Sequence, residues 1–330
     1  TPPLPPQSQR DTPPPLGTPP FAASTGRLRP TPMKAAPLLR SWLHRLKSQG
    51  VVFHTRHHWL GWQDDALIFD VSGERKQVQA RFVVFALGGA SWSHLGSDGT
   101  WVSLFLQRGI QVTPLLPANC GFQVNWENWF IERYAGSPLK QVAIQFQDNP
   151  RRIGEWIITQ KGIEGSLIYA LSADIRNYLL QHQTAELFID LLPYQSKDKT
   201  IKQLQTPRGK RSWSQHLKKT LGIDGVRYAL LKQLTPDNVW NDLSQLAQWI
   251  HALPLMLVGV GSLEEAISTA GGVDWSELVS ETLALHRLPN HYCAGEMLDW
   301  EAPTGGYLLT MTMATAVVVA NDILKKHDLL

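Results

Sequence analysis

Two apolar, strand-like runs that end in glycine, one in the first third of the chain and one near its end, restrict the fold more than any other feature. The first is FVVFALGGA, residues 82–90, closed by Gly88 and Gly89. An unbroken apolar run suits a strand buried on both faces, and glycine at its end lets a ligand or another strand approach the main chain. The second starts at His291 with HYCAGE, passes Asp299 and reaches Thr304-Gly305-Gly306-Tyr307 at the head of a long helical pattern. A helix N-terminus carries unpaired N–H groups and partial positive charge, which suits phosphate or the electron-rich edge of a reduced ring. Taken singly, the first motif reads more readily as an ordinary turn, and the second equally well as a capped helix.

The segments between them set the organisation. MKAAPLLRSWLHRLKS, residues 33–48, places Leu39, Trp42, Leu43 and Leu46 on one helical face, and Gly50 ends that helix. VVFHTRH then reads as a buried strand, and ALIFDV and KQVQAR form a hairpin around Ser72-Gly73-Glu74. Asp98 is placed to cap a helix over residues 100–107. After Pro114 and Pro117 the pattern turns to short strands: CGFQVNW, QVAIQFQ, EWIITQ, SLIYAL and AELFIDLL. From residue 196 to 251 the period is helical and the charge rises. Beyond Leu288 the early pattern returns. The expected architecture is therefore one α/β domain built from both ends of the chain, residues 17–114 and 276–330. A β-rich domain, 115–275, is inserted in it and carries a helical subdomain at about 197–251. Nine prolines within residues 1–20 deny backbone donors, so 1–16 is expected to be a disordered tail.

Composition narrows the function classes. With 330 residues, 43% of them hydrophobic, the chain can bury a large core. A formal net charge of +3 gives no generally electropositive surface, so indiscriminate nucleic-acid binding is not expected. Two distant cysteines, Cys120 and Cys293, form no C-x-x-C, which favours a reducing, cytoplasmic setting. The apolar run from Tyr307 to Ala320 is shorter than the roughly 20 residues of a membrane span and reads as a buried helix.

FALGGASWSHLGSDG, AISTAGGVDW and YCAGEMLDWEAPTGGYLL, with the segment from Leu16 to Leu46, resemble the BaiN/YhiN-like (aminoacetone oxidase-like) flavoproteins over nearly the whole chain. The resemblance implies an FAD-binding domain of the glutathione reductase type and an FAD-dependent oxidoreductase. Its partner would be a small-molecule substrate, with NAD(P)H a candidate electron donor and no membrane involved. Gly88 and Gly89 would pass close to the dinucleotide, and Trp59 would lie near the adenine through its backbone. Gly295 and Glu296 would meet the ribityl or pyrophosphate part, with Asp299 nearby. Thr304, Gly305, Gly306, Tyr307 and Leu308 would approach the isoalloxazine, where the helix N-terminus stabilises negative charge on the reduced flavin.

The family's opening G-x-G-x-x-G turn, which cradles the pyrophosphate, has no counterpart in this sequence. GVGSLEEA, from Gly259 to Ala266, supplies two glycines but has Glu264 where the third is required, so it reads as a glycine turn. The FAD-binding domain is accordingly expected to be incomplete, with FAD binding by this chain alone in question. A homo-oligomer or a completing chain would remedy that, and a non-catalytic remnant serving as a binding module is the alternative function. Three further signals have bland readings. His54, His57 and His58 alternate across a strand, which is awkward for a metal. Arg208, Lys210, Arg211, Lys218 and Lys219 around Trp213 read first as a solvated face and only second as a nucleic-acid contact. Tyr134, Tyr169 and Tyr292 read as core before cavity lining.

Overall fold

The structure, a computed structural model, describes residues 20–22, 28–30 and 34–327. The proline-rich stretch 1–16 lies outside the described residues. The chain divides into two units, one formed by residues up to Gly89, Ser97–Leu115 and Ala270 onward, the other by Ala90–Gly96 and Leu116–Thr269.

In the first unit, Val83–Phe85 pairs in parallel with His291–Cys293, so the two glycine-ended runs are neighbours in one sheet. Tyr292 and Cys293 are fully buried, as an apolar parallel strand requires. The outer edge of Val83–Phe85 meets no strand among the described residues. A three-stranded meander of His58–Gln63, Ala66–Val71 and Glu74–Val78 supplies Leu67 to the same core, together with Trp101, Phe105, Met297 and Val319. Its second turn holds Ser72 at φ 59° and Gly73 at φ 91°, the left-handed pair whose twist matches a two-residue hairpin. The Gly73 N–H donates to Asp70 Oδ1 at 2.7 Å, and the returning strand starts at Glu74, two residues earlier than expected.

Two expectations fail in this unit. VVFHTRH is not a strand: Val51, Val52 and Phe53 are exposed, and Arg56 sits at φ 59° in a turn that breaks any extension. β-branched residues favour a strand only where a neighbouring strand and a packed face exist, and here neither does. The final helix, Tyr307–Lys326, has 20 residues, long and apolar enough to cross a membrane by length and composition, and only Ala314, Thr315 and Val319 are buried in it. The helix outlasts the apolar run because Asn321 to Lys326, mostly polar or charged, continue its turns; Leu309, Met313 and Val317 form an exposed stripe at i, i+4, i+8.

That helix is fastened near its C-terminus. The Tyr292 hydroxyl donates to Asp322 Oδ2 at 2.7 Å, and Lys326 Nζ lies 3.0 Å from the same hydroxyl and 2.9 Å from Asp322 Oδ2. Burial alone would raise the Asp322 carboxyl, but the Tyr292 hydroxyl and the Lys326 ammonium outweigh it and hold it below its ordinary value of 3.8. A carboxylate with a depressed folded pKa adds stability above its unfolded pKa, and that contribution disappears as pH falls through the folded value. The melting temperature of the native protein should therefore exceed that of Asp322→Asn at pH 7, and the gap should close below pH 4. A gap that persists unchanged at pH 2.5 would show that the triad does not act through this ionisation.

The second unit is a seven-stranded antiparallel sheet. Its strand order is Leu253–Leu257, Ala185–Asp190, Pro138–Phe146, Arg152–Ile158, Gly162–Glu164, Phe122–Gln123 and Gly259–Val260. Gly162 is required there because a Cβ would run into the Phe122 carbonyl. SLIYAL, expected as a strand, begins a helix, Ser166–Tyr169, followed by Ser172–Leu179. Ile168, Leu171 and Ile175 are buried at a spacing of three to four, which a short apolar window does not separate from a strand. GVGSLEEA leads only into a single turn, Leu263–Glu265. Helices Lys197–Leu204, Trp213–Leu221, Gly225–Leu234 and Leu243–His251 fill the stretch where helical periodicity was read. Ser212 and Gln215 close a reciprocal capping box on the second of them.

Candidate functional site

Parallel strands present their C-terminal ends to the same side, and in open α/β sheets ligands bind there. Gly88-Gly89 follows Val83–Phe85, and Gly295-Glu296 follows His291–Cys293, so the structure brings these four residues to one end of adjacent strands; the Ala294 N–H donates to Phe85 O at 2.9 Å. Gly88 has φ 74° and Gly295 φ 83°, conformations that glycine adopts without strain.

The final helix closes on the same place. Thr312 in its second turn lies 3.7 Å from where a Gly295 Cβ would stand, and the Gly295 N–H donates to Thr315 Oγ1 at 3.0 Å. Thr304-Gly305-Gly306 turns into the helix, with Gly305 at φ 126° and Gly306 at φ 96°, and no side chain caps the helix start. Tyr307 and Leu308 are its first two residues, and Tyr307 is 59% exposed. Asp299 is tied in differently: its Oδ2 accepts from Thr113 Oγ1 at 2.7 Å and its carbonyl accepts from Trp275 Nε1 at 2.6 Å, so it braces the loop between Gly295 and Thr304. Glu296 sits half-buried in the single turn Gly295–Met297.

Trp59 lies on the meander, with its ring 4.7 Å from Trp62 and 5.0 Å from Phe85. Its side chain is thus core packing, and only its backbone is left for a ligand. Sequence reasoning missed Ser97, Trp101, Thr113 and Thr315. Trp101 Nε1 donates to Gly88 O at 3.1 Å, and Ser97 Oγ stands 3.0 Å from the position of a Gly88 Cβ, buried and without a partner among the described residues. No local signal marks these four; each matters through a contact distant in sequence.

The arrangement fits a dinucleotide on three counts. Gly88 and Gly295 hold left-handed backbone at the two strand ends, and a Cβ on Gly88 would stand 3.0 Å from Ser97 Oγ, whereas one on Gly295 would make only ordinary contact with Thr312. Two buried donors, Ser97 Oγ and Trp300 Nε1, have no partner among the described residues, and buried polar groups normally have one. A 20-residue helix directs its unfilled first-turn N–H groups outward. Residues of this set would hold FAD, which supplies two-electron redox chemistry when bound.

The model of the HI0933-like protein Rossmann domain matches residues 14–322. A curated relative, the 3-dehydro-bile acid delta(4,6)-reductase of Clostridium scindens, is 24% identical over 303 residues, covering 88% of this chain and 73% of that protein. By the extent of the domain match, the chain belongs to the HI0933-like Rossmann-domain family, the BaiN/YhiN-like flavoproteins.

Proposed function

We propose that this protein is an FAD-dependent oxidoreductase that reduces a small organic substrate with electrons from NAD(P)H in the cytoplasm. The observation that carries the proposal is the meeting of Gly88 and Gly295 at the C-terminal ends of one parallel strand pair, with helix Tyr307–Lys326 packed on Gly295 through Thr312 and Thr315. The relative from Clostridium scindens, a reductase by name, supports the direction of the chemistry. Gly88-Gly89 and Ser97 would receive the dinucleotide, Gly295 and Glu296 its centre, and Thr304 to Leu308 the ring system. At that last position the helix start offers N–H groups to negative charge developing on the ring.

Affinity is set by what accompanies these motifs. No glycine-rich strand–turn–helix phosphate cradle stands beside them among the described residues, and the outer edge of Val83–Phe85 and the stripe Leu309, Met313, Val317 are uncovered. Binding by this chain should be weak, and a completing unit seated there should strengthen it. Titrating FAD with the protein should quench flavin fluorescence. Gly306→Val, strained at φ 96° by about 1–2 kcal/mol but with open space around its side chain, should abolish most of the quenching while leaving the far-UV spectrum unchanged. Equal quenching by both proteins would remove the helix start from the site.

A further inference from the structure

The helical segment 197–219 carries eight cations against one carboxylate, Asp198, a local net charge of +7 in a chain whose formal net charge is +3. These residues lie on two helices in mutual contact, Lys197–Leu204 and Trp213–Leu221, and on the loop between them. Three cations have structural work. Lys218 pairs with Asp224 at 3.1 Å, while Arg208 and Arg211 donate to one another's carbonyls across the loop. Lys197, Lys199, Lys202, Lys210 and Lys219 are exposed and hold no ion pair among the described residues.

Helix stability does not explain all five. Lys202 and Lys219 stand in last turns, where cations are favoured, but Lys197 and Lys199 stand in a first turn, against the helix dipole. Charges placed against local preference point to a use outside the helix. The kind of partner follows from what the surface lacks. Between Tyr194, which stands alone three positions before Lys197, and Met256 no large apolar side chain is exposed among the described residues, so the segment has neither the clustered anchors of a protein interface nor the apolar stripe of a membrane-bound helix. Trp213, the one aromatic among the charges, is half-buried against Trp240 and covered by the Arg208 guanidinium at 5.1 Å, which rules it out as a stacking platform for unpaired bases.

We propose that this basic helix pair and the loop between its helices bind the phosphate backbone of double-stranded nucleic acid without sequence preference. Lysines act there as mobile point charges, and counterion release supplies the affinity with no apolar contact. Fluorescence anisotropy of a labelled, mixed-sequence 30-base-pair DNA duplex with the full chain tests it. Five phosphate contacts give a slope of log affinity against log salt of about −4.5, a loss of about 500-fold between 50 and 200 mM salt. Replacing all five lysines by glutamine should weaken binding at least tenfold at 50 mM and flatten the slope, with the melting temperature as the check on folding. Absence of binding at 50 mM, an unchanged slope in the variant, or sedimentation with phosphatidylserine vesicles in place of duplex binding would each overturn the proposal.

Discussion

Gly272→Ala is expected to lower the melting temperature of the first unit by about 6–12 °C, equivalent to about 3 kcal/mol, and to abolish FAD binding with it. Gly272 is the penultimate residue of the fully buried strand Ser268–Val273, at φ 138°. A Cβ there would run into the Met297 carbonyl and stand 2.6 Å from Leu298 C, both on the loop that joins Gly295-Glu296 to Asp299. The Leu298 backbone has no room to retreat, because the Asp299 N–H already donates to Val273 O at 3.0 Å and Trp275 Nε1 to Asp299 O. Gly109→Ala is the matched control. It has φ 74° with nothing within 4 Å of its Cβ, so it should cost only about 1 kcal/mol. If the two variants melt within 2 °C of each other, the close approach at Gly272 is not what holds the loop.

The second large effect is expected in the other unit. Asp190, 5% exposed, accepts from the Leu192 N–H at 2.8 Å, from Arg151 at 3.0 Å and from His251 Nδ1 at 3.1 Å. His251 Nε2 in turn meets Thr200 Oγ1, fully buried, at 2.8 Å. The order carboxylate, imidazole, hydroxyl has the connectivity of a hydrolytic triad, but the complete burial of Thr200 denies it a substrate. The chain of bonds instead ties strand Ala185–Asp190 to helices Lys197–Leu204 and Leu243–His251. Asp190→Asn keeps the shape, removes the charge and sets an amide donor against Arg151 where Oδ2 accepted, while its remaining oxygen can still accept from His251 and Leu192. It should cost about 3 kcal/mol by urea denaturation of this unit. A double-mutant cycle with His251→Asn should give a coupling of about 1–3 kcal/mol. A cost below about 1 kcal/mol would mean that solvent compensates at Arg151.

What the sequence disclosed was mostly what local chemistry encodes. Gly88, Gly89, Gly295, Gly305 and Gly306 stood out because turning and close approach demand glycine, and the structure brings the two runs that carry them together. Helical periodicity between residues 196 and 251 holds because four helices lie there, three of them amphipathic and capped by Ser196, Ser212 and Asp242. The failures came where tertiary context decides. VVFHTRH has strand propensity and no strand beside it among the described residues, and SLIYAL is equally apolar in either period. The last helix read as buried because its composition is apolar, yet composition does not say which neighbour covers it. Ser97, Trp101, Thr113 and Thr315 are ordinary residues in sequence, and only the meeting of distant segments gives each a place near the site.

The central claim is that these residues hold FAD, and the visible absorption spectrum of the purified protein mixed with excess FAD tests it most directly. A shifted, structured flavin band that bleaches under NAD(P)H without oxygen, and that is lost in large part on desalting, is the predicted result. A folded protein that leaves the spectrum of free FAD unchanged at every concentration would contradict it.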